Sequence, residues 1–407
     1  MPVVLLVGCS EPDKSSEPVV IENPRPASPA RTVGFDTSVF RVGVLVDLTG
    51  PGAEQAASLL AGVEAYWSTV NAVGGVDHSF PVELVVRDTG GSTAAAVAAF
   101  GELEPDVALF TLVGDTGAID AIRSLAESAA TLVVPATRQS TWGTIPNLLP
   151  LGASYAVEGF SAVAWMTRVD TEPTLLCTVR DASPGGDDLL VGALLAMRDK
   201  DNLQEASIDA SPGISAAVVV EQIEASGCER VVVAASAPVS GPILAAMAER
   251  DLPVEVAVGS EVDFPLPDAV EAWAVGRMIV SVDAPSWGDE RPGPSALRIA
   301  MDGYLPDARP DPWIRAGFAA QYATDVLLTA ATRKGSVTRE DLLDLATNLE
   351  PDTDGLVGAP DRSLGRDGYV RSVTIHEVVQ VGGDPLGLRP IQTYEAPGIE
   401  AVEEAFR

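Results

Sequence analysis

Hydroxyl and carboxylate side chains recur where predicted β-strands end and lead into helices. Short apolar runs such as VGVLV and LVVPA alternate with segments of helical spacing, which predicts parallel strands joined by helices. In an open sheet of this kind, solutes bind beyond the carboxyl ends of the strands, where backbone N–H groups and helix N-termini converge. An amino acid would need hydroxyl or amide donors for its carboxylate and an acid for its ammonium group. The segments at these strand ends are 48–52, 114–117, 135–139, 181–186, 235–240 and 259–263.

No sequence pattern supports catalysis. The chain has no GxSxG nucleophile turn, no Walker loop, no HExxH pair and no GxGxxG after a strand. The adjacent acids Asp187 and Asp188 head a predicted helix, where they fit the positive end of its dipole better than an acid/base couple. We therefore predict a protein that is not an enzyme and that uses no cofactor or metal.

The charge balance excludes polyanionic partners. Lys+Arg number 26 and Asp+Glu 58 in 407 residues, so the net charge is -32. Nucleic acid and anionic membrane surfaces both need a cationic footprint, which this chain lacks. The acidity itself is best interpreted as a solubility or habitat trait. The length is sufficient for two domains of ordinary size.

The three cysteines and two histidines are too few for a disulfide framework or a zinc site. Cys177 lies in the strand-like run TLLCTV and Cys228 lies just before ERVVVAA. We expect them at different heights of one sheet, which disfavours a disulfide and leaves pairing open. His78 and His376 stand alone in the sequence, and we expect them at the surface or at a strand edge.

The N-terminal residues indicate lipidation. Leu6-Val7-Gly8-Cys9 has the apolar, small, Gly, Cys order of a bacterial lipobox, in which Cys9 is acylated. Residues 1–8 then form a partial signal peptide that lacks a basic region, which suggests an earlier start codon. Residues 9–38, rich in Pro, Ser and Glu, form a disordered linker. No later apolar run reaches the length of a membrane span, so the bilayer contact is through acylated Cys9 only.

The hydrophobic patterns predict an α/β fold with two doubly wound, mostly parallel sheets flanked by helices. The run 40–88 reads as strand, helix and strand, with Gly74-Gly75 ending the helix. The alternation continues to Leu151, and a second series begins at a helix over 157–168. Later segments predict a long helix over 312–334, a helix opened by a threonine N-cap in VTREDLLDLATNL, and a late antiparallel strand in RSVTIHEVVQV.

The same stretches resemble the leucine/isoleucine/valine-binding family of solute receptors of ABC transporters, whose fold is the two-lobed type I periplasmic-binding-protein fold. The segment LTGPGA, the NAVGGV turn at 71–76 and the helix PDPWIRAGFAAQYATDVLLTAA carry this resemblance, which covers Phe40 to about Ile391. It implies two lobes, three hinge crossings and a ligand cleft that closes between the lobes. By resemblance, lobe 1 takes 39–152 and 284–345, lobe 2 takes 153–283 and 346–393, and 394–407 form a C-terminal tail.

The resemblance also assigns candidate binding residues. Thr137 matches the family threonine that meets the ligand carboxylate, and Ala136 matches the preceding position, which acts through its backbone. Glu261 in VGSEV matches the family acid that receives the ammonium group. Its alternative interpretation is a solvated loop carboxylate.

Several family positions differ in this chain. The serine of the family turn is Asp115, which would repel a carboxylate unless Thr116 replaces it, and Asp115 also suits a helix N-cap. Three family aromatics align with Gln55, with Gly185 in the turn that begins at Asp181, and near Ser236 or Ala237. Their loss predicts a roomier and more polar pocket. Trp142 and Trp313 are candidates to refill it or to serve as core or rim residues.

The resemblance implies an extracytoplasmic, lipid-anchored solute-binding protein that presents a small polar molecule, an amino acid or an amide-like compound, to an ABC permease. A ligand-sensing receptor of the same fold is the alternative. A degenerate member without a small-ligand transport role is a third interpretation, motivated by the missing aromatics. Because fold alone does not fix function, these remain expectations.

Overall fold

The computed structural model describes residues 28–112, 116–198, 200–348, 351–358, 370–380 and 384–407. These residues form eleven strands and twelve helices arranged as two α/β units, which confirms the predicted fold class. Cys9 and Asp115 lie outside the described residues. Within the described ranges, no helix combines the length and the apolar character that crossing a bilayer requires.

The first sheet has four parallel strands in the order β2-β1-β3-β4. Its strands are β1 (Phe40–Val46), β2 (Val82–Asp88), β3 (Leu109–Thr111) and β4 (Val133–Val134). The helices α1 (Ala53–Ala72), α2 (Thr93–Leu103) and α3 (Thr116–Ser128) connect them. The register of β1 with β2 runs from Phe40 opposite Val82 to Val46 opposite Asp88, so the predicted strand–helix–strand unit is confirmed.

The second sheet has seven strands in the order β11-β10-β9-β8-β7-β5-β6. Five of them are parallel, namely β5 (Thr174–Arg180), β6 (Leu203–Asp209), β7 (Arg230–Ala234), β8 (Glu255–Val258) and β9 (Met278–Val282). The predicted late strand is β10 (Ser372–Val378), which is antiparallel to both β9 and β11 (Leu388–Glu395). The apolar alternation of β10 therefore predicted its orientation correctly.

Helices cover the second sheet and continue to the end of the chain. They are α4 (Tyr155–Met166), α5 (Pro184–Met197), α6 (Ala216–Ser226), α7 (Ala237–Glu249), α8 (Asp268–Ala274) and α12 (Glu400–Phe406). The segment treated as a tail in the sequence thus holds the end of β11 and a helix whose Val402 is buried. Its apolar residues join the core formed by α4 and α5.

Three helices late in the chain return to the first unit. They are α9 (Pro292–Tyr304), α10 (Pro312–Lys334) and α11 (Arg339–Asn348). The predicted long helix matches α10 at both ends. The predicted threonine cap is also confirmed, because the Thr338 Oγ1 accepts the Asp341 backbone N–H at 3.2 Å.

Glycine lets α10 lie directly against α1. A Cβ on Gly317 would stand 2.0 Å from the Leu59 carbonyl oxygen, and one on Gly62 would stand 2.1 Å from that of Ile314. No real Cβ tolerates such distances, so only glycine permits the two backbones to approach this closely. The contact fixes the N-terminal turn of α10 at the boundary between the two units.

Two sequence expectations are corrected. Cys177 and Cys228 form a disulfide with a Cα–Cα distance of 5.8 Å. Cys177 pairs in register with Val231 of β7, but the turn before β7 brings Cys228 back beside it, so the expected difference in height does not separate the two thiols. His376 is buried rather than exposed, because β10 lies between two other strands. Burial and the nearby Arg315 lower the pKa of His376 to about 4.

Three chain segments meet at Asp283. Its Oδ2 accepts the backbone N–H groups of Ala153 at 3.0 Å and Gly358 at 2.8 Å, and the Gly152 N–H donates to the Gly358 carbonyl at 2.7 Å. The predicted lobe boundaries 152/153 and 283/284 fall at this junction, whereas 345/346 lies inside α11. The lobe limits themselves stay a prediction. Burial raises the pKa of Asp283, although the Gly358 N–H and Arg138 oppose the shift.

Candidate ligand-binding site

A cavity of about 90 Å³ lies between the two units, beside the Asp283 junction. One water needs only about 10–15 Å³ by the same measure, so the space suits a small molecule. The α10 turn and the segment after β4 contribute Ala136, Arg138, Trp313, Arg315, Ala316, Ala319 and Ala320. The second unit contributes Tyr155, Ser260, Glu261, Val262, Phe264, Val280, Val282, Leu386 and Leu388. Most of this lining is apolar, which differs from the more polar pocket that the missing aromatics predicted.

Glu261 forms one polar end of the cavity. It follows β8, and both its carboxylate and the Tyr155 side chain line the cavity. A Cβ on Gly185 would lie 2.9 Å from the Glu261 carboxyl carbon, so Gly185, itself a predicted site residue, gives this side chain room. Burial raises the pKa of Glu261, while Tyr155 and Arg138 act in the opposite direction. A half-buried carboxylate at the cavity can accept a hydrogen bond from a cationic or amide donor.

A buried ion pair joins the two units next to Glu261. Arg138 Nη2 lies 3.2 Å from Glu158 Oε1 and also donates to the Ser260 hydroxyl. Glu158 Oε2 accepts the Ser260 N–H at 2.9 Å and its hydroxyl at 2.8 Å. Burial raises the pKa of Glu158 to about 7 against the lowering influence of Arg138. Burial disfavours the charged Arg138, but the combined attraction of Glu158, Tyr155, Asp283 and Glu261 outweighs it, and the pKa of Arg138 ends above its usual value.

One of the predicted carboxylate-binding residues lies at the cavity. Ala136 lines it. The buried Thr137 Oγ1 has no hydrogen-bond partner among the residues that the structure describes. Thr116 is the first residue of α3, and its Oγ1 accepts from the Gln139 amide at 3.4 Å. The bond from Gln139 therefore joins the start of α3 to the segment after β4, which also carries Thr137.

Asp181 and Ser236 form a structural pair. Asp181 Oδ2 accepts the Ser236 N–H at 2.9 Å and also its hydroxyl, while Asp181 Oδ1 accepts the Ser183 N–H at 2.9 Å. These bonds hold the loops after β5 and β7 together. Because the two side chains bind each other, we expect them to shape the loops at the site rather than to contact a ligand directly.

Gln55 and Trp313 contact the second unit through one carboxylate. The Trp313 Nε1–H donates to Asp263 Oδ1 at 2.8 Å, and the Gln55 amide lies 3.5 Å from Asp263 Oδ2. Trp313 thus covers one side of the cavity, as one of its two interpretations predicted. Trp142 is a core residue instead, with its Nε1–H donating to Asp120 at 3.2 Å.

Sequence reasoning missed Arg138, Tyr155, Glu158, Asp283 and Arg315 as site residues. Two of them had a signal, since Glu158 interrupts the apolar run YAVEGFSAV and Arg315 interrupts WIRAGFAA. A charge inside an apolar helix face is buried at a cost unless it serves a partner or a ligand. Arg138, directly after Thr137, carried no comparable signal.

Asp188 supports the loop that carries Arg138. Its Oδ2 accepts the Ser140 N–H at 3.1 Å, the Ser140 hydroxyl at 3.0 Å and the Ala156 N–H at 3.2 Å. Burial raises the pKa of Asp188 from 3.8 to about 6, although these hydrogen bonds lower it. The stability linked to this raised pKa is fully present below 3.8 and is lost as the pH rises through about 6.

We expect Asp188→Asn to remove this pH dependence. Asparagine keeps an acceptor oxygen at the Oδ2 position and has no charge to desolvate. The variant should match the wild type at pH 4 and exceed its free energy of unfolding by about 2–3 kcal/mol at pH 7.5. Thermal melts at both pH values test this. A difference between variant and wild type that is equal at pH 4 and pH 7.5 would contradict it.

Comparison with known families gives one match over most of the chain. A family model described as periplasmic binding protein matches residues 39–380. No match was found among the curated proteins.

Solved structures of the same fold match almost the whole chain. A fatty acid ABC transporter substrate-binding protein from Thermomonospora curvata has a TM-score of 0.79 at 18% identity, covering 91% of this chain and 96% of that one. A branched chain amino acid ABC transporter protein from Thermus thermophilus with bound valine has a TM-score of 0.74 at 18% identity, covering 90% and 98%. A solute-binding protein from R. palustris in complex with 4-hydroxybenzoate has a TM-score of 0.72 at 17% identity, covering 88% and 98%.

Proposed function

Since this chain belongs to the periplasmic binding protein family, we propose that it captures a small solute between its two units and delivers it to an ABC permease. The observation that carries this proposal is the cavity between the units, with the half-buried carboxylate of Glu261 at one end. The family implies an extracytoplasmic location. Acylation of Cys9 is part of the proposal, and membrane fractionation of a Cys9→Ala variant tests it.

The residues of this chain indicate the class of ligand. The similar structures bind ligands as different as valine and 4-hydroxybenzoate. At 17–18% identity they support only the fold of this chain and not its ligand. We propose an amino acid or an amide-like compound, because Glu261 and Tyr155 form an acceptor site for an N–H donor. The unpaired hydroxyl of Thr137 and the backbone of Ala136 are the complementary donors that the family resemblance assigns.

We expect Glu261→Gln to weaken binding without unfolding the protein. A ligand at about 100 times its dissociation constant adds about 2.7 kcal/mol to the free energy of unfolding, which is a clear shift in Tm. A panel of amino acids, amides and other small solutes should therefore give at least one such shift in the wild type. Loss of a hydrogen bond to a charged group should weaken the affinity by about 10- to 100-fold in Glu261→Gln.

The matched control is Glu249→Gln, which changes an exposed acid at the end of α7. It should bind as the wild type does. A ligand whose affinity is the same in Glu261→Gln and Glu249→Gln would exclude Glu261 from the site. A well-folded protein that responds to no solute in the panel would count against the receptor function itself.

A further inference from the structure

Arg315 is a buried cation that forms no ion pair with a carboxylate in the part of the chain that the structure describes. It lies in the first turn of α10, lines the cavity and is only 9% exposed. Its Nη1 donates to the Pro285 carbonyl at 2.9 Å, and no described carboxylate forms an ion pair with it. The guanidinium therefore has donors left for a molecule in the cavity.

The three acids that favour the charged form of Arg315 each accept hydrogen bonds from backbone N–H groups. Asp283 accepts the Ala153 and Gly358 N–H groups. Asp384 accepts the N–H groups of Trp287 at 3.1 Å and Leu386 at 2.8 Å. Asp311 caps α10 by accepting the Trp313 N–H at 2.7 Å. Each of these three carboxylates thus holds a backbone segment in place.

Burial of this charge is unfavourable. Desolvation, followed by repulsion from Arg138, lowers the pKa of Arg315 to about 10 although Asp384, Asp283 and Asp311 oppose the shift, so the guanidinium is still charged at neutral pH. A buried charge without a partner is retained when an anion completes the site. The planar guanidinium suits a carboxylate, to which it can donate two parallel hydrogen bonds.

The wall around Arg315 is apolar and recessed. Ala316, Ala319 and Ala320 follow it on the same face of α10 and leave space where larger side chains would fill the cavity. The opposite wall consists of apolar side chains from β9 and from the start of β11, including Val280 and Leu388. A ligand that presents a carboxylate to Arg315 would therefore bury an apolar body here.

We propose that Arg315 binds the carboxylate of the solute, and that the ligand class is small monocarboxylates with an apolar body. This inference rests on the proposed function, since both place the ligand in the same cavity. It moves the carboxylate from the hydroxyls of Thr116 and Thr137 to the guanidinium of Arg315. The ligand can also carry an amino group that contacts Glu261, but binding of its carboxylate to Arg315 does not require one.

The test uses six-carbon probes that differ only in their charged groups, together with one aromatic pair. Hexanoate carries the carboxylate alone, hexanamide is its neutral analogue, hexylamine carries the ammonium alone and norleucine carries both. Benzoate and benzamide repeat the first comparison with a flat body. Calorimetric titration of the full chain should show binding of at least one carboxylate, with its amide at least about 30-fold weaker.

Arg315→Met should abolish this preference for carboxylates by the same factor or more. The ligand-free variant should melt at the wild-type temperature or higher, because an unpaired buried charge has been removed. A purely structural arginine would give a lower Tm instead. Arg309→Met, which changes an exposed arginine just before α10, is the control and should bind as the wild type does.

Two results would overturn the assignment, and they differ from failure of the receptor function. If norleucine or another solute binds and depends on Glu261 but not on Arg315, the protein is a receptor whose carboxylate site lies elsewhere. If amides or amines bind and no monocarboxylate does, the ligand class is wrong. If neither these probes nor the wider panel bind, both the inference and the proposed function fail.

Discussion

Replacing Cys177 and Cys228 together with alanine is expected to lower the free energy of unfolding by about 4 kcal/mol. The disulfide closes a loop with a sequence separation of 51 residues. Without it, the unfolded chain gains the conformational freedom that the loop had removed. The measurement is denaturant unfolding of the double variant beside the wild type, with fluorescence and circular dichroism compared to check for two-state behaviour.

The native fold of the cysteine variant should persist below its transition. The bond joins β5 to the turn before β7, and the strands themselves pair through their backbones without it. Glu261 follows β8 in the same sheet, so a bound solute should still raise the Tm of the variant. A loss of less than about 1 kcal/mol would show that the reduced, unfolded chain retains structure around these residues.

Glu158→Ala is expected to cost about 3–5 kcal/mol, because it leaves the buried Arg138 without its partner. The Glu158 side chain is 0% exposed and the Arg138 side chain 16%, so water cannot replace the lost carboxylate. Ser260 loses its acceptor in the same step. The measurement belongs at pH 8, where Glu158 is ionised in the wild type given its pKa of about 7.

A second variant distinguishes the contribution of the Arg138–Glu158 ion pair from the cost of leaving one of its charges unpaired. Arg138→Met combined with Glu158→Leu removes both charges and fills their volume, and it should recover part of the stability that Glu158→Ala loses. The Ser260 N–H stays without its acceptor in this variant, which limits the recovery. If the single and double variants are equally stable, the stability lost in Glu158→Ala comes from the unsatisfied Ser260 groups and from the cavity left by Glu158, and not from the unpaired Arg138.

Local patterns in the sequence predicted most of the fold. Strand β1, helix α1 with its glycine stop at Gly74-Gly75, and helix α10 follow from apolar periodicity and turn residues, which act within a few positions of one another. Helix α12 was missed because seven residues give too short a period to recognise. The disulfide was missed because the path of the turn before β7 is a tertiary property.

The candidate site was only partly predictable, for a related reason. Ala136 and Glu261 line the cavity because strand ends of parallel sheets meet at one edge, a rule that sequence can apply. Arg138 and Arg315 lie on segments far apart in the chain, and only the folded packing of α10 against α1 brings the second of them to the cavity. Whether a charge inside an apolar helix has a partner cannot be read from one segment.

The junction at Asp283 has a consequence for the order of events during capture. Asp283 lies on one connecting segment, and its carboxylate binds the backbone of the other two, at Ala153 and Gly358. The units should therefore rotate about this point as about a pivot. Displacements are smallest near a pivot, and Arg315 lies at this end of the cavity, whereas Gln55, Asp263 and Trp313 lie where the units meet and would part. We therefore expect the Arg315 end to be preformed in the open protein. An incoming solute would dock there first, and closure around the rest of it would follow.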